Sequence, residues 1–234
     1  MKVDEVHIYD LYTPMVASVE MKFPYSEALK ILPAALAPLG PDYVRTLQKG
    51  LDPAQGWLDL YPHKNKQSGA FCSSTYGVHP FVKMNYFDDL DGLSTLAHEY
   101  GHALHSHYAM THQPYVTASY SMFNAEIAST FNEKLLSDYL LKNAKTDQEK
   151  LYILNELVET IRTTIYRQTL FAEFELAAHT AAEQGTPLTA ELLNRLYGEL
   201  IRRYYGPDFA VGANDDIEWA YVPHFYYKIG RAHV

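Results

Sequence analysis

Between Leu96 and Tyr108 the chain reads LAHEYGHALHSHY, four histidines and one glutamate within little more than three helical turns. His98, Glu99 and His102 fit the pattern H-E-x-x-H. On a helix, histidines at i and i+4 lie one turn apart and can aim ring nitrogens at a single Zn²⁺, with the glutamate beside them as a general base. That chemistry is metal-assisted hydrolysis. The five-residue pattern alone also fits a solvated, histidine-rich helix, so the reading needs a third ligand. A catalytic zinc usually takes three protein ligands and leaves a fourth position to water. The metzincin extension requires Gly and His where His105 and Tyr108 stand, which excludes that class.

The best third ligand is Glu126. It lies in a segment where Glu126, Thr130, Glu133 and Ser137 form a polar stripe among Met122, Phe123, Ile127, Phe131, Leu135 and Leu136. A polar stripe on such a helix needs a polar partner, and a crossing metal helix would be one. On the histidine helix, Leu93, Ala97, Tyr100 and Leu104 make an apolar stripe opposite His98, His102 and His105. Gly101 costs that helix about 1 kcal/mol relative to Ala, which a closely packed helix or ligand would explain. His105, at i+7 from His98, is too far along to share the same tetrahedral site and reads as a hydrogen-bonding neighbour. Thr130 and Glu133 are placed either to orient a ligand histidine or to bond between helices. His107 and His112 read as surface residues, and Glu175 with His179 as a helix-stabilising pair.

The elements that must position these groups are mostly helical. A helical pattern from Tyr25 to Leu51 is interrupted by Pro33, Pro38 and Pro41. The segment from Gly69 to Tyr86, with its β-branched and aromatic residues around Gly77 and Pro80, predicts two short strands joined by a turn. Asp88, Asp89 or Asp91 can then cap the histidine helix. Further helices are predicted over Ser119–Leu141, Thr146–Glu183 and Thr189–Tyr204. The fold class is therefore mainly α, a helical body with a small sheet preceding HEYGH, and one compact unit is the default for 234 residues.

Charge and composition narrow the partners. A formal net charge of −9 argues against nucleic acid, whose affinity comes from clustered Lys and Arg. Peptides or small molecules are expected instead. Cys72 is the single cysteine, so neither a disulfide framework nor a thiolate zinc cluster is expected, in keeping with a reducing cytoplasm. The opening MKVDEVHIYD has charges where a secretory signal needs an apolar run, and no later segment approaches a membrane span. Residues 228–234, KIGRAHV, do not continue the preceding pattern and can be encoded by a common sequencing-library adapter. They are expected to be a non-native tail, leaving 1–227 as the domain.

Taken together, these motifs resemble the thimet oligopeptidase and oligoendopeptidase F family of zinc metallopeptidases. HEYGHALH resembles the family's metal helix, and Glu126-Ile127-Ala128-Ser129 followed by Glu133 resembles the segment carrying its third ligand. The likeness runs from HIYDLYTP through KQSGAFC, VHPFVKMNY, FAEFELAAH and LYGELIRRYYG to VPHFYY. It implies a zincin-like catalytic domain with one Zn²⁺ held by His98, His102 and Glu126, and Glu99 taking a proton from the attacking water. It further implies that His224 stabilises the transition state and that the stretch Gly77–Phe81, with His79, pairs with substrate backbone. Tyr226 and Tyr227 stand where tyrosine donors are expected nearby. Family members are longer, so the chain corresponds to their catalytic C-terminal part, acting on short peptides. The competing expectation is a truncated fragment that binds zinc or merely packs, feeble in catalysis and prone to associate through exposed apolar surface.

Overall fold

The computed structural model describes residues 5–227 apart from 14, 17, 18, 20, 213 and 223, and apart from the side chains at 12, 122 and 227. The tail at 228–234 lies outside the described residues. In chain order the regular elements are β1 (Val6–His7), α1 (Tyr25–Ala35), α2 (Pro41–Leu51), β2 (Leu58–Asp59), β3 (Phe71–Ser73), β4 (Phe81–Lys83) and α3 (Leu90–His112). There follow α4 (Met122–Asn143), α5 (Asp147–Ile161), α6 (Arg167–Glu183), α7 (Ala190–Tyr205), β5 (Phe209–Ala210) and α8 (His224–Tyr227). The fold is mainly α with a small sheet ahead of the histidine helix, and it packs as two compact units, residues 19–153 and residues 1–18 with 154–234.

In the unit 19–153, β3 pairs antiparallel with β4, and β4 pairs in parallel with the two-residue β2. The first two are the strands the sequence predicts; β2 is too short to leave a periodic signal. Asp89 caps α3 by accepting from the Gly92 backbone N–H at 2.8 Å. Leu93, Ala97, Tyr100 and Leu104 are wholly buried, against α1 and α2 residues such as Ala28, Leu32, Leu47 and Leu51. Burying one such large side chain contributes about 1.5–3 kcal/mol. Tyr100 also donates its hydroxyl to the Gly50 carbonyl at 2.6 Å, so the one polar atom on this stripe is satisfied. Pro33 does not interrupt α1. It sits in the last turn, and the helix ends two residues later, where a 3₁₀ turn over Ala37–Leu39 leads to Gly40 and to Pro41 at the start of α2.

In the second unit, β1 pairs in parallel with β5, with Val6 opposite Phe209. The helix predicted over Thr146–Glu183 contributes its residues from 154 on to this unit, where a π-helical turn, Arg162–Tyr166, lies between α5 and α6. Thr189 caps α7, accepting from the Leu192 N–H, and Gly206 at φ 83° ends it. Phe171, Phe174, Tyr197, Ile201 and Val222 form this unit's core. Glu218 accepts from the Tyr197 hydroxyl at 2.6 Å and pairs with Arg167.

Two helices keep apolar side chains in the open. On α4, Phe123, Ile127 and Phe131 are 89%, 61% and 51% exposed. Along α5 and the π turn in the second unit, Leu154, Val158, Ile161 and Ile165 are exposed at steps of four, three and four residues.

Candidate metal centre

The site is built where α3 and α4 cross. At that crossing a Cβ added to Gly101 would lie 2.5 Å from the Ser129 Cα and 2.7 Å from the Ala128 carbonyl oxygen. Only the missing side chain lets the two backbones approach so closely, which accounts for the helix-weakening glycine inside the motif. Asn132, buried on α4, donates to the Ala97 carbonyl at 3.0 Å and accepts from the Tyr43 hydroxyl at 2.9 Å. These bonds fix the register of the two helices one residue before the first histidine.

That register brings three donors to one point. His98 Nε2 and His102 Nε2 are 3.1 Å apart, and Glu126 Oε2 lies 3.3 Å from each. Three ligands about 2.0–2.2 Å from one tetrahedral ion would stand about 3.3–3.6 Å from each other, so the triangle fits one face of such a site with little movement. Among the described residues this is the group of three whose donor atoms converge in this way.

The electrostatics favour positive charge at that point. Burial works against a charged His98, but hydrogen bonds to Glu126 and Glu133 prevail and hold its pKa up at about 10. Burial likewise opposes charge on Glu126. His102, His98 and Ser129 outweigh it and keep that carboxyl well below the usual range. With Glu99, Glu126 and Glu133 gathered around two imidazoles, the negative charge that holds a proton on His98 would hold a cation in its place, the proton leaving as the metal binds.

Glu99 differs from its neighbours. It is 6% exposed, and its Oε2 is buried without a hydrogen-bond partner among the described residues. Burial raises its pKa, Glu126 and Glu133 adding to the rise while His98 and His102 oppose it. An unsatisfied buried carboxylate oxygen costs stability, and it is what a proton acceptor beside an attacking water requires.

Around the donors, Glu133 Oε2 lies 3.4 Å from His98 Nδ1, a contact that orients the ring and strengthens Nε2 as a ligand. Thr130 makes no such contact: its hydroxyl donates to the Glu126 backbone carbonyl at 2.6 Å, the helix's own i−4 acceptor. Ser129, which lies off the polar stripe, holds the carboxylate instead, donating to Glu126 Oε2 at 2.7 Å. Its i, i+3 spacing from Glu126 is the signal that could have found it. Asn132 leaves no such signal, since a buried asparagine is indistinguishable from a surface one until the crossing helix is known. His105 stacks on Tyr120 with ring centroids 3.8 Å apart, and its buried Nδ1 has no hydrogen-bond partner among the described residues. His107 is half-buried against Trp57 rather than on the surface, while His112 is exposed.

The expected substrate edge also moves. Gly77, at φ 84°, and His79 precede β4, which is the central strand of its sheet with both edges occupied. His79 stacks on Trp57 at 5.7 Å. The strands with an unpaired outer edge are β2 and β3. His224 and Tyr226 belong to the unit formed by 1–18 and 154–234. His224 opens α8 half-buried, and Tyr226 is exposed with its hydroxyl 3.3 Å from the Ala220 carbonyl; the Tyr227 side chain lies outside the described residues.

A mainly α, zincin-like fold carrying paired histidines on one helix and a carboxylate on the helix crossing it narrows the class of protein considerably. The sequence matches Peptidase family M3 over residues 1–228, and the chain belongs to that family. It is 47% identical over 228 residues to oligopeptidase PepF of Bacillus subtilis, a stretch covering 97% of this chain and 34% of that protein. A crystal structure of a protein from Chlamydophila abortus superposes with a TM-score of 0.78 at 44% identity, covering 97% of this chain and 38% of the other. Oligoendopeptidase-F from Enterococcus faecium aligns with a TM-score of 0.61 at 34% identity, over 96% of this chain and 32% of that one. The chain thus spans about a third of the length of the curated relatives it matches.

Proposed function

We propose that residues 1–227 form the catalytic part of a zinc-dependent endopeptidase that hydrolyses peptide bonds in short oligopeptides. The observation that carries this reading is the triangle of His98, His102 and Glu126 donors, with Glu99, next to His98 in sequence, keeping its buried Oε2 without a hydrogen-bond partner among the described residues. Zinc held there would polarise a water and the substrate carbonyl and bring the water's pKa toward neutrality. Glu99 accepts the proton as the water oxygen attacks the carbonyl carbon, then returns it to the leaving amine as the C–N bond breaks. Burial suits it to both steps, because a raised pKa makes the carboxylate a stronger base and keeps the acid form usable near neutral pH. Glu133 holds His98, Ser129 holds Glu126, and His224 is assigned, from the family resemblance, to donate to the oxyanion that forms on the carbonyl. Tyr226 and Tyr227 are further donors on the same ground.

The substrate class follows from the relatives' names, which are those of oligopeptidases and oligoendopeptidases. No described helix is long and apolar enough to cross a membrane. On the ground of its single cysteine, Cys72, we assign the protein to a reducing cytoplasm. The test is to load the protein with zinc and follow an internally quenched short peptide with and without a chelator. Chelator-sensitive cleavage is expected, with one zinc per chain. Cleavage that persists after the metal is stripped would contradict the proposal.

A further inference from the structure

The stripe that begins with the metal histidines does not stop at them. His98, His102, Ser106 and Met110 follow at i+4 steps along one face of α3, and the last two line a cavity of about 340 Å³. Its other walls include Cys72 and Ser74, from β3 and the residue just beyond it, and Tyr120 from the segment between α3 and α4. We propose that this cavity receives one large uncharged side chain of the substrate, about two residues from the bond that is cut. The proposal rests on the peptidase reading above and adds a specificity to it.

Position comes first. At 1.5 Å per residue, Ser106 is about 6 Å and Met110 about 12 Å along the helix axis from His102. An extended peptide advances about 3.3 Å per residue, so a side chain two residues from a carbonyl at the metal reaches the near end of the cavity. The edge strand β3 supplies Cys72 to the wall, so a peptide laid along its unpaired edge is directed past the opening.

The chemistry of the lining selects what enters. None of the described lining residues is charged, and a volume near the lower end of the range for small-molecule sites, about 300–1,000 Å³, suits a single side chain. Ser106 and Tyr120 are hydrogen-bonded to each other at 2.8 Å, so the two groups nearest the metal helix already satisfy one another. The Tyr120 ring is held by its stack on His105. At the other side Tyr76 meets Tyr115 edge to face at 5.4 Å and donates its hydroxyl to the Gln113 carbonyl at 3.1 Å. Met110 is unbranched and polarisable and adapts to ring shapes. An aromatic or long aliphatic side chain gains contact here, whereas a carboxylate or ammonium would lose water without finding a partner.

The experiment uses two independent readouts on the zinc-loaded protein. In the first, quenched peptides identical except for Phe, Leu, Ala, Asp or Lys at successive positions are compared by kcat/KM. At one position Phe and Leu should exceed Asp and Lys by about tenfold or more, and Ser119→Trp, at an exposed lining residue, should shrink the Phe-to-Ala ratio by a similar factor. Met110→Ala should shift preference toward bulkier side chains. In the second, Cys72 is the single thiol, so the labelling rate by an uncharged maleimide reports access to the cavity. With Glu99→Gln preventing turnover, the Phe peptide should slow labelling and the Ala peptide should not.

Protection of Cys72 by the Phe peptide without cleavage of any peptide would sink the peptidase reading and leave the cavity as a peptide side-chain site. Cleavage that is indifferent to these residues, with Cys72 labelled equally fast beside either peptide, would overturn the cavity proposal and leave the peptidase reading intact. If Ser119→Trp fails to retain zinc, the Met110→Ala comparison and the labelling rates decide the matter.

Discussion

α3 and α4 are nearly equal in length and meet at the same glycine, yet their side chains have opposite fates. On α3 the apolar stripe Leu93, Ala97, Tyr100 and Leu104 is wholly buried, and the other face carries the histidines. On α4 the proposed carboxylate ligand, Glu126, lies in the same turns as Phe123, Ile127 and Phe131, all more than half exposed. Both helices supply donors to the candidate site, and α4 buries Leu136 and Leu140 farther along, but its first turns keep an apolar face uncovered among the described residues. Spacing therefore indicates what a residue can bind more reliably than it indicates where an apolar residue will be covered. A ligand triad needs a few atoms at fixed separations, whereas an apolar face needs a whole neighbouring surface.

The largest effect that would separate the two helices belongs to α3. Glu99→Gln should keep zinc and lower peptide turnover by about 10²–10⁴-fold, because the amide cannot accept the water's proton. Steady-state cleavage beside a zinc assay checks it, and unchanged turnover would remove Glu99 from the base role. Next comes the crossing itself. Gly101→Ala forces a Cβ against the α4 backbone and should cost about 1–3 kcal/mol of stability, read by denaturant unfolding, with zinc affinity falling alongside. A neutral result would mean that the helices can part without loss, and the two would no longer be one structural pair.

On α4 the expected changes are graded by what each side chain touches. Glu133→Gln should weaken zinc binding by about 10- to 100-fold through His98, and Ser129→Ala should weaken it less. Thr130→Ala should leave zinc affinity unchanged, since that hydroxyl bonds only its own helix backbone. Competition titration with a chelating dye ranks all three, and a Thr130 effect equal to that of Glu133 would undo the assignment. Finally, the exposed side of α4 should favour association. Phe123→Ser with Ile127→Ser should lower the self-associated fraction in sedimentation runs, and an unaltered distribution would show that this face is not what drives contact.

Much of this arrangement is legible in the order of residues alone. The H-E-x-x-H spacing, the buried stripe opposite it, the anomalous Gly101 and the polar stripe through Glu126 each have a local periodic signature, and each falls where the helices require. What escapes the sequence depends on the other helix or strand. Asn132 acquires its partners only at the crossing, Thr130 loses its expected one to a backbone carbonyl, and β4 has no free edge because β2 and β3 flank it. The two-residue β2 and β5 are too short for a period of two to register. The exposure of Phe123, Ile127 and Phe131 leaves no mark in the spacing, because their pattern looks like that of an ordinary core face.

The central claim is that His98, His102 and Glu126 hold one zinc ion together. X-ray absorption at the zinc edge, on the loaded wild-type protein and on His98→Ala, His102→Ala and Glu126→Ala, tests it most directly. We expect one zinc per chain in the wild type, with two imidazole nitrogens and oxygen ligands at about 2.0–2.2 Å. Each histidine variant should lose one imidazole from the spectrum along with most of the affinity, and Glu126→Ala should keep both imidazoles while binding weakly. A zinc environment without two imidazoles in the wild type, or one that survives these substitutions unchanged, would contradict the account.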